Sequence, residues 1–247
     1  MSGPPPGVRT TPPPDTEATR VVLIRHGESA CNVAGVVGGH TGCTGLSPRG
    51  RLEASALCTR LLETSELAGT DGLYASVLAR ARETASIIAP GVGGQLAATD
   101  CDLCELHPGD ADGLSWDEFR TTYGEPDWDE DPDALVAPGG ESWTGFVTRA
   151  SAAVERLAHA HQGGLVVVVC HGGVIEATML RFLPVAAHRG RLRLPTDYTS
   201  LTEWELGPFG WRLVRYNDAA HLRVLDRESR GPQQAQSPQQ AQSPQQA

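Results

Sequence analysis

Two short apolar runs in this chain end in the same dipeptide, and that repetition constrains the fold more than any other feature. Val21-Val22-Leu23-Ile24 stops at Arg25-His26-Gly27, and Leu165-Val166-Val167-Val168-Val169-Cys170 stops at His171-Gly172. Both runs are β-branched and uninterrupted by polar residues, the pattern of strands covered on both faces in a parallel sheet. Helical segments separate them. Ser47-Pro48 supplies an N-cap and a proline at the first helical position, with Leu52, Ala56 and Leu57 on one face up to about Leu62. Arg80 to Ala89 reads as a helix stopped by Pro90-Gly91. Glu141-Ser142-Trp143 opens a long helix to about His161, with Phe146, Val147, Ala150, Val154 and Leu157 at helical spacing, and another runs from Gly172-Gly173 to about Phe182. Leu73-Tyr74-Ala75 reads as a short strand, and Ser200 to Leu206 and Trp211 to Tyr216 flank a Gly207-Pro208-Phe209-Gly210 turn. The expected fold class is α/β, a three-layer α/β/α arrangement with a mostly parallel mixed sheet and an antiparallel edge. Residues 107–141 are rich in Gly, Pro, Asp and Trp and read as loop with one short helix from Trp116 to Thr121, suited to a lid.

The ends differ from this middle. Residues 1–19 carry two triple-proline runs and 229–247 repeat QQAQSP, so neither buries enough apolar surface to offset the entropy of ordering. That predicts one domain over 20–228 between two disordered tails, since single domains of roughly 200–250 residues are common. The net charge of −10 disfavours nucleic acid as a partner, and no apolar run approaches the ~20 residues of a membrane-spanning helix. The first residues lack the basic-then-apolar pattern of a secretory signal, which places the protein in the cytoplasm. The lysine-free, Arg- and Ala-rich composition fits a bacterial source with a GC-rich genome. Six cysteines are then expected as reduced thiols. Cys101 and Cys104 form one CxxC, and His40 with Cys43 could complete a four-ligand set. One CxxC without a second such pair is a weak pattern, so buried thiols are preferred and no metal is expected.

In a parallel sheet, His26 and His171 both fall at the carboxyl edge, where ligands meet helix N-termini. The glycine after each leaves backbone N–H groups unhindered for an anion. No dinucleotide fingerprint and no P-loop is present. Leu23-Ile24-Arg25-His26-Gly27-Glu28-Ser29, with Asn32 following, resembles the signature of the histidine phosphatase superfamily, also called phosphoglycerate mutase-like. Ser76 to Ala85 is similar to the family segment carrying a second phosphate-binding arginine, and Glu105-Leu106-His107-Pro108-Gly109 to its proton-donor segment. Pro138-Gly139-Gly140-Glu141-Ser142 resembles a helix-opening motif, and Val169-Cys170-His171-Gly172-Gly173 the second-histidine motif. The motifs occur in the family's order from Val21 to Leu222.

The resemblance implies that His26 attacks a phosphomonoester in line and becomes a phosphohistidine, dividing one hard displacement into two easier steps. Arg25, Arg80, His171 and Gly172 would surround the phosphoryl oxygens, whose spread charge suits the permanent, forked donors of arginine. Glu105 would protonate the leaving alkoxide and then activate water. Asn32, Thr41 and Gly42 resemble positions bordering phosphate, although the stretch between Asn32 and Thr41 departs in length from the mutase pattern. No cofactor is implied, because the arginines already neutralise the phosphoryl group.

The partner so implied is a small phosphorylated metabolite, and nothing in the chain specifies an oligomeric state. Mutases of this family keep lysines near the substrate carboxylate, so a chain without lysine favours hydrolysis over phosphoryl return. Two alternatives stand beside this: mutase-type phosphoryl transfer, and a non-catalytic phospholigand-binding module, which would be expected to have lost at least one of the five principal residues. A protein phosphatase is disfavoured by the acidic segment Asp127, Asp129, Glu130, Asp131 and Asp133, which would repel acidic phosphopeptides. Those acids read first as a solvated loop, while Trp116, Tyr123 and Trp128 could line the substrate body.

Overall fold

The computed structural model describes residues 18–183, 194–223 and 225. β1 (Thr19–Arg25) and β4 (Leu165–Cys170) run parallel at the centre of a six-stranded sheet, with Val21 opposite Val166 and Arg25 opposite Cys170. Beyond β4 lie parallel β2 (Gly72–Ser76) and β3 (Leu96–Asp100); beyond β1 lie β5 (Leu201–Gly207) and β6 (Gly210–Asp218), both antiparallel to their neighbours. The sheet order is β3-β2-β4-β1-β5-β6, the mixed sheet with an antiparallel edge that the sequence predicts.

The unbroken apolar runs follow from the layering, because successive strand side chains point to opposite faces. Val21, Leu23, Val166, Val168 and Cys170 pack on Phe146, Val154 and Leu157 of α5 (Trp143–Ala160) and Ile175 of α6 (Gly172–Phe182). Val22, Ile24, Val167 and Val169 pack on Leu57 and Leu61 of α2 (Pro48–Thr64) and Ala85 and Ile88 of α3 (Ala79–Val92). Each fully buried aliphatic side chain here contributes about 1.5–3 kcal/mol relative to exposure, so both faces need apolar residues.

Several boundaries differ from expectation. Residues 1–17 and 229–247, expected as tails, lie outside the described residues, while Thr19 is buried and opens β1 one position before the expected domain start. Its hydroxyl accepts from Gly163 N at 3.0 Å, which extends the strand by a contact distant in sequence. α3 continues through Pro90 to Val92. A proline this near the end removes one hydrogen bond, and the last turn persists because Gly91 sits where a Cβ would lie 2.8 Å from Leu61 Cβ. Gly93, at φ +70°, then ends it in the left-handed conformation. β3 and the five-residue α1 (Ala30–Ala34) have no counterpart in the periodicity.

The segment 107–141 is anchored. Its helix α4 (Trp116–Thr122) starts with a reciprocal Ser115/Glu118 capping box, and Val37, Ala111, Phe119 and Ala137 form a small apolar cluster of its own. Trp128 stacks on Trp143 with ring centroids 5.6 Å apart, and its Nε1 donates to Ala134 O, so this ring braces the segment against α5. The acidic residues from Asp127 to Asp133 are exposed. Among the described residues no helix is long and apolar enough to cross a membrane.

Candidate active site

Parallel pairing of β1 with β4 brings the two histidines together. His26 N donates to Cys170 O at 3.0 Å, continuing the ladder one residue past the strand, and the His26 and His171 ring centroids are 5.0 Å apart. Both rings are buried, at 3% and 0% exposure. The chain can turn here because Gly27 meets Gly50 of α2 back to back. A Cβ on Gly27 would lie 2.6 Å from Gly50 O, and one on Gly50 would lie 2.0 Å from Glu28 O. Glycine is required at both positions by this approach of backbones.

The hydrogen bonds of His26 define its tautomer. Nδ1 lies 2.7 Å from Gly27 O, and a carbonyl can only accept, so Nδ1 carries the proton. Nε2 in turn accepts from Arg80 Nε at 3.1 Å, so its single lone pair is free of a proton and aimed at the Arg80 guanidinium. Burial, and then the Arg80 and Arg25 charges, push the His26 pKa well below the usual imidazole value despite the opposing bond to Gly27 O. The ring is therefore neutral and nucleophilic at pH 7.

Arg80 reaches this position from the first turn of α3, where a cation works against the helix dipole. It is 5% exposed, and its guanidinium also donates to Gly38 O at 2.7 Å. Thr84 ties α3 to the strand end, accepting from Gly27 N at 3.1 Å and donating to Arg80 O at 2.8 Å. Arg25 donates to Thr196 O and lies with its Cζ 4.1 Å from the centre of the Tyr198 ring. Unlike Arg60, Arg149 and Arg215, neither Arg25 nor Arg80 has a carboxylate at ion-pair distance among the described residues.

Three polar atoms in this pocket are buried without a hydrogen-bond partner: Arg25 Nε and both ring nitrogens of His171. Buried polar groups are ordinarily satisfied, so these are donors and acceptors held for a ligand. Burial, then Arg80, His26 and Arg25, hold His171 neutral. An entering oxyanion would reverse that balance and favour the imidazolium. The arrangement is a nucleophilic imidazole facing a cationic, partly unsatisfied cradle for an anion.

The predicted residues divide. His26, Arg25, Arg80, His171 and Gly172 converge, with Gly172 opening α6 beside the Arg25 guanidinium. Glu105 joins them at the N-terminus of α6, where its carboxylate accepts from Gly173 N at 3.1 Å. A Cβ on Gly173 would lie 2.1 Å from Glu105 Oε1, so a larger residue would displace the carboxylate from this seat. Asn32 is exposed on α1 with its side-chain oxygen engaged by Ser29 Oγ. The backbone N–H groups of Thr41 and Gly42 are not offered to the pocket. They donate to the Asp112 carboxylate at 2.7 and 2.9 Å, with Gly39 N as a third donor at 2.9 Å. Three such donors hold the Asp112 carboxyl below its usual range against its partial burial.

Other contributors have no motif. Arg149 of α5 donates to the carbonyls of Cys101, Asp102, Cys104 and Glu105 while pairing with both Glu141 oxygens at 2.7 Å, which fixes the backbone that carries Glu105. His221 bonds Thr199 Oγ1 at 2.8 Å, and Thr199 N, in a residue at φ +55°, donates to Arg25 O at 3.0 Å. Arg149 sits one helical turn past Phe146 and Gly145, so only its polarity on a partly buried stretch could have marked it.

His26, His171 and His221, the last held at about 4 by burial, bind protons in the unfolded chain near ~6.5 but stay neutral in the fold. Between those values the unfolded state binds more protons. Stability is therefore full above ~6.5 and is lost as pH falls below it. In phosphate-free buffer the unfolding free energy should drop from pH 7 to 5 by about 2 kcal/mol for each imidazole that stays neutral, roughly 5–6 kcal/mol for the three, with most of the loss at pH values above those where carboxylates titrate. Urea midpoints that stay level over that interval would contradict the buried neutral imidazoles.

Comparison with known proteins agrees with this geometry. The family model of the histidine phosphatase superfamily (branch 1) matches residues 21–219. Phosphoglycerate mutase-like protein 4 of Arabidopsis thaliana is 34% identical over 212 residues, covering 84% of this chain and 89% of the relative. The metal-independent phosphoserine phosphatase of the same plant is 30% identical over 222 residues, covering 88% and 89%. Among solved structures, Bacillus stearothermophilus YhfR superposes with a TM-score of 0.71 at 31% identity, over 83% of this chain and 100% of the other.

Proposed function

The chain belongs to the histidine phosphatase superfamily and is a phosphatase of that family; we propose that it hydrolyses small phosphomonoesters without a metal in the chemical step, through a phosphohistidine on His26. The observation that carries this reading is the pairing of an unprotonated His26 Nε2 with the partnerless Arg25 Nε and His171 nitrogens around one buried pocket. The fixed cations of Arg25 and Arg80 supply the charge stabilisation for which other phosphoryl-transfer sites use an ion.

In the first step His26 Nε2 forms a bond to phosphorus as the ester P–O bond breaks, and the leaving oxygen takes a proton from Glu105. In the second, Glu105 as carboxylate removes a proton from water, the water oxygen bonds to phosphorus, and the P–N electron pair returns to Nε2. Glu105 is suited to both steps by its seat on α6, next to the histidine at that helix's N-cap. Asn32 would border the phosphate from α1, and the 39–42 loop held by Asp112 would form a wall on the substrate side, with Thr41 and Gly42 contributing shape. A bacterial source with a GC-rich genome would fit its lysine-free, Arg- and Ala-rich composition.

The test is inorganic phosphate release from 4-nitrophenyl phosphate, phosphoserine, 3-phosphoglycerate and sugar phosphates, with chelator present during the assay. Release from several esters at a rate indifferent to added magnesium is expected. Conversion of 3-phosphoglycerate to its 2-isomer without release would instead establish a mutase. Tight binding of the esters with no turnover would establish a binding module.

A further inference from the structure

The residues His40, Cys101, Cys104 and His107 stand together just outside the phosphate pocket. Their ligand atoms all lie within 4.8 Å of one another. Cys101 Sγ is 3.6 Å from His40 Nε2, 3.5 Å from His107 Nε2 and 3.6 Å from Cys104 Sγ. A tetrahedral zinc ion with bonds of ~2.3 Å to sulfur and ~2.0 Å to nitrogen sets two sulfurs roughly 3.8 Å apart and a sulfur and a nitrogen roughly 3.5 Å apart. These three separations are thus already close to the edges of that tetrahedron. We propose that this chain holds one structural zinc ion on His40, Cys101, Cys104 and His107.

The sequence pattern points to Cys43 as the fourth member, but Cys43 lies beneath Arg80, whose N donates to its Sγ at 3.4 Å, and His107 takes its place. Cys101, Cys104 and His107 are spaced three residues apart, so one short segment presents all three. The surroundings match what such a sphere needs. Ser76 Oγ donates to Cys104 Sγ at 3.2 Å, and the Arg149 guanidinium braces the Cys101 and Cys104 carbonyls, placing positive charge beside two thiolates. His107 turns Nε2 toward Cys101 and Nδ1 toward Glu141 Oε2, 3.6 Å away, the carboxylate–histidine arrangement that orients metal-bound imidazoles. Two thiolates neutralise the dication, and two sulfurs with two nitrogens select zinc over hard cations.

Four protein ligands leave no open position, so the ion takes no part in the chemical step. Its effect is positional. His40 belongs to the 38–43 loop whose Gly38 O receives Arg80, and Cys104 and His107 flank Glu105. Zinc would thereby tie the backstop of Arg80 to the segment that carries the acid.

The site stands apart from the phosphatase reading, and the test separates the two. Untagged protein from zinc-supplied cells, purified under reducing conditions, is assayed for metal by mass spectrometry and for cobalt uptake by absorption spectroscopy. One zinc per chain is expected, with thiolate-to-cobalt charge transfer and intense tetrahedral bands after exchange. His26→Ala should keep both signals although turnover is lost. Cys101→Ser/Cys104→Ser should lose both. His40→Gln, at an exposed position that does not endanger folding, should weaken zinc retention against a competing chelator at least tenfold. Wild-type protein that takes up neither metal, that binds cobalt without charge transfer, or that is isolated with a Cys101–Cys104 disulfide in place of the ion would overturn the proposal.

Discussion

Replacing His26 with alanine should lower phosphate release by about 10⁵-fold or more, while inorganic phosphate still binds within about tenfold of its wild-type affinity. The two halves of this expectation have separate origins. Turnover depends on the lone pair of His26 Nε2, presented by the Nδ1–H bond to Gly27 O. Anion affinity depends on Arg25, Arg80 and His171, which the substitution leaves in place. The variant should fold, because it removes a neutral ring held by two hydrogen bonds and breaks no ion pair, leaving one Arg80 donor to be met by water or phosphate in the space vacated. Acid quenching of the wild-type reaction should trap an acid-labile phosphoenzyme that the variant cannot form. Retention of a tenth of the activity by His26→Ala would mean that another group, or water directly, attacks phosphorus.

The second large effect is expected at Arg80. Arg80→Met should reduce kcat/KM by about 10³-fold, the order found when an arginine that stabilises a transferring phosphoryl group is removed. It should also move the acid limb of the pH profile of kcat/KM upward. The Arg80 charge is the second-largest cause of the low His26 pKa, so its removal lets the nucleophile protonate at higher pH. A purely structural role would lower activity evenly across pH. Stability provides a further contrast. Arg80 is buried with no carboxylate partner among the described residues, and methionine of similar length removes that desolvated charge, so unfolding free energy should hold or rise. A large loss of stability with an unmoved acid limb would assign Arg80 to the fold rather than to the site.

How far the sequence can be read differs between one side of this pocket and the other. His26, His171 and Gly172 were legible because each follows directly from an apolar run that can only be a doubly covered strand. Arg80 was legible through the resemblance of Ser76 to Ala85 to a phosphate-binding segment, and a cation in the first turn of a helix, unfavourable unless something needs it there, agrees with that. Glu105 was legible only through resemblance, since no periodic element carries it. It is held by Gly173 N on α6 and by a backbone that Arg149 of α5 braces. Thr41 and Gly42 illustrate the converse. A Thr-Gly pair in a loop near the site offers its N–H groups to a phosphate or to anything else anionic, and here Asp112, distant in sequence, takes them. Pro90 is similar on the scale of the fold, where contact between α2 and α3 outweighs a local stop signal.

Local sequence is enough for the frame: two buried parallel strands, their helices and the level at which both histidines emerge. Unbroken apolar runs, helical spacing, caps and glycines are properties of neighbouring residues and can be read without knowing which segments meet. Which loops meet across that edge is settled by the folded chain alone. The tautomer of His26, the partnerless nitrogens of His171, the seat of Glu105 and the meeting of His40 with Cys101, Cys104 and His107 all depend on contacts between segments far apart in the chain. Such contacts are made by single polar atoms and leave no periodic trace, so folding must bring them together before they can be seen.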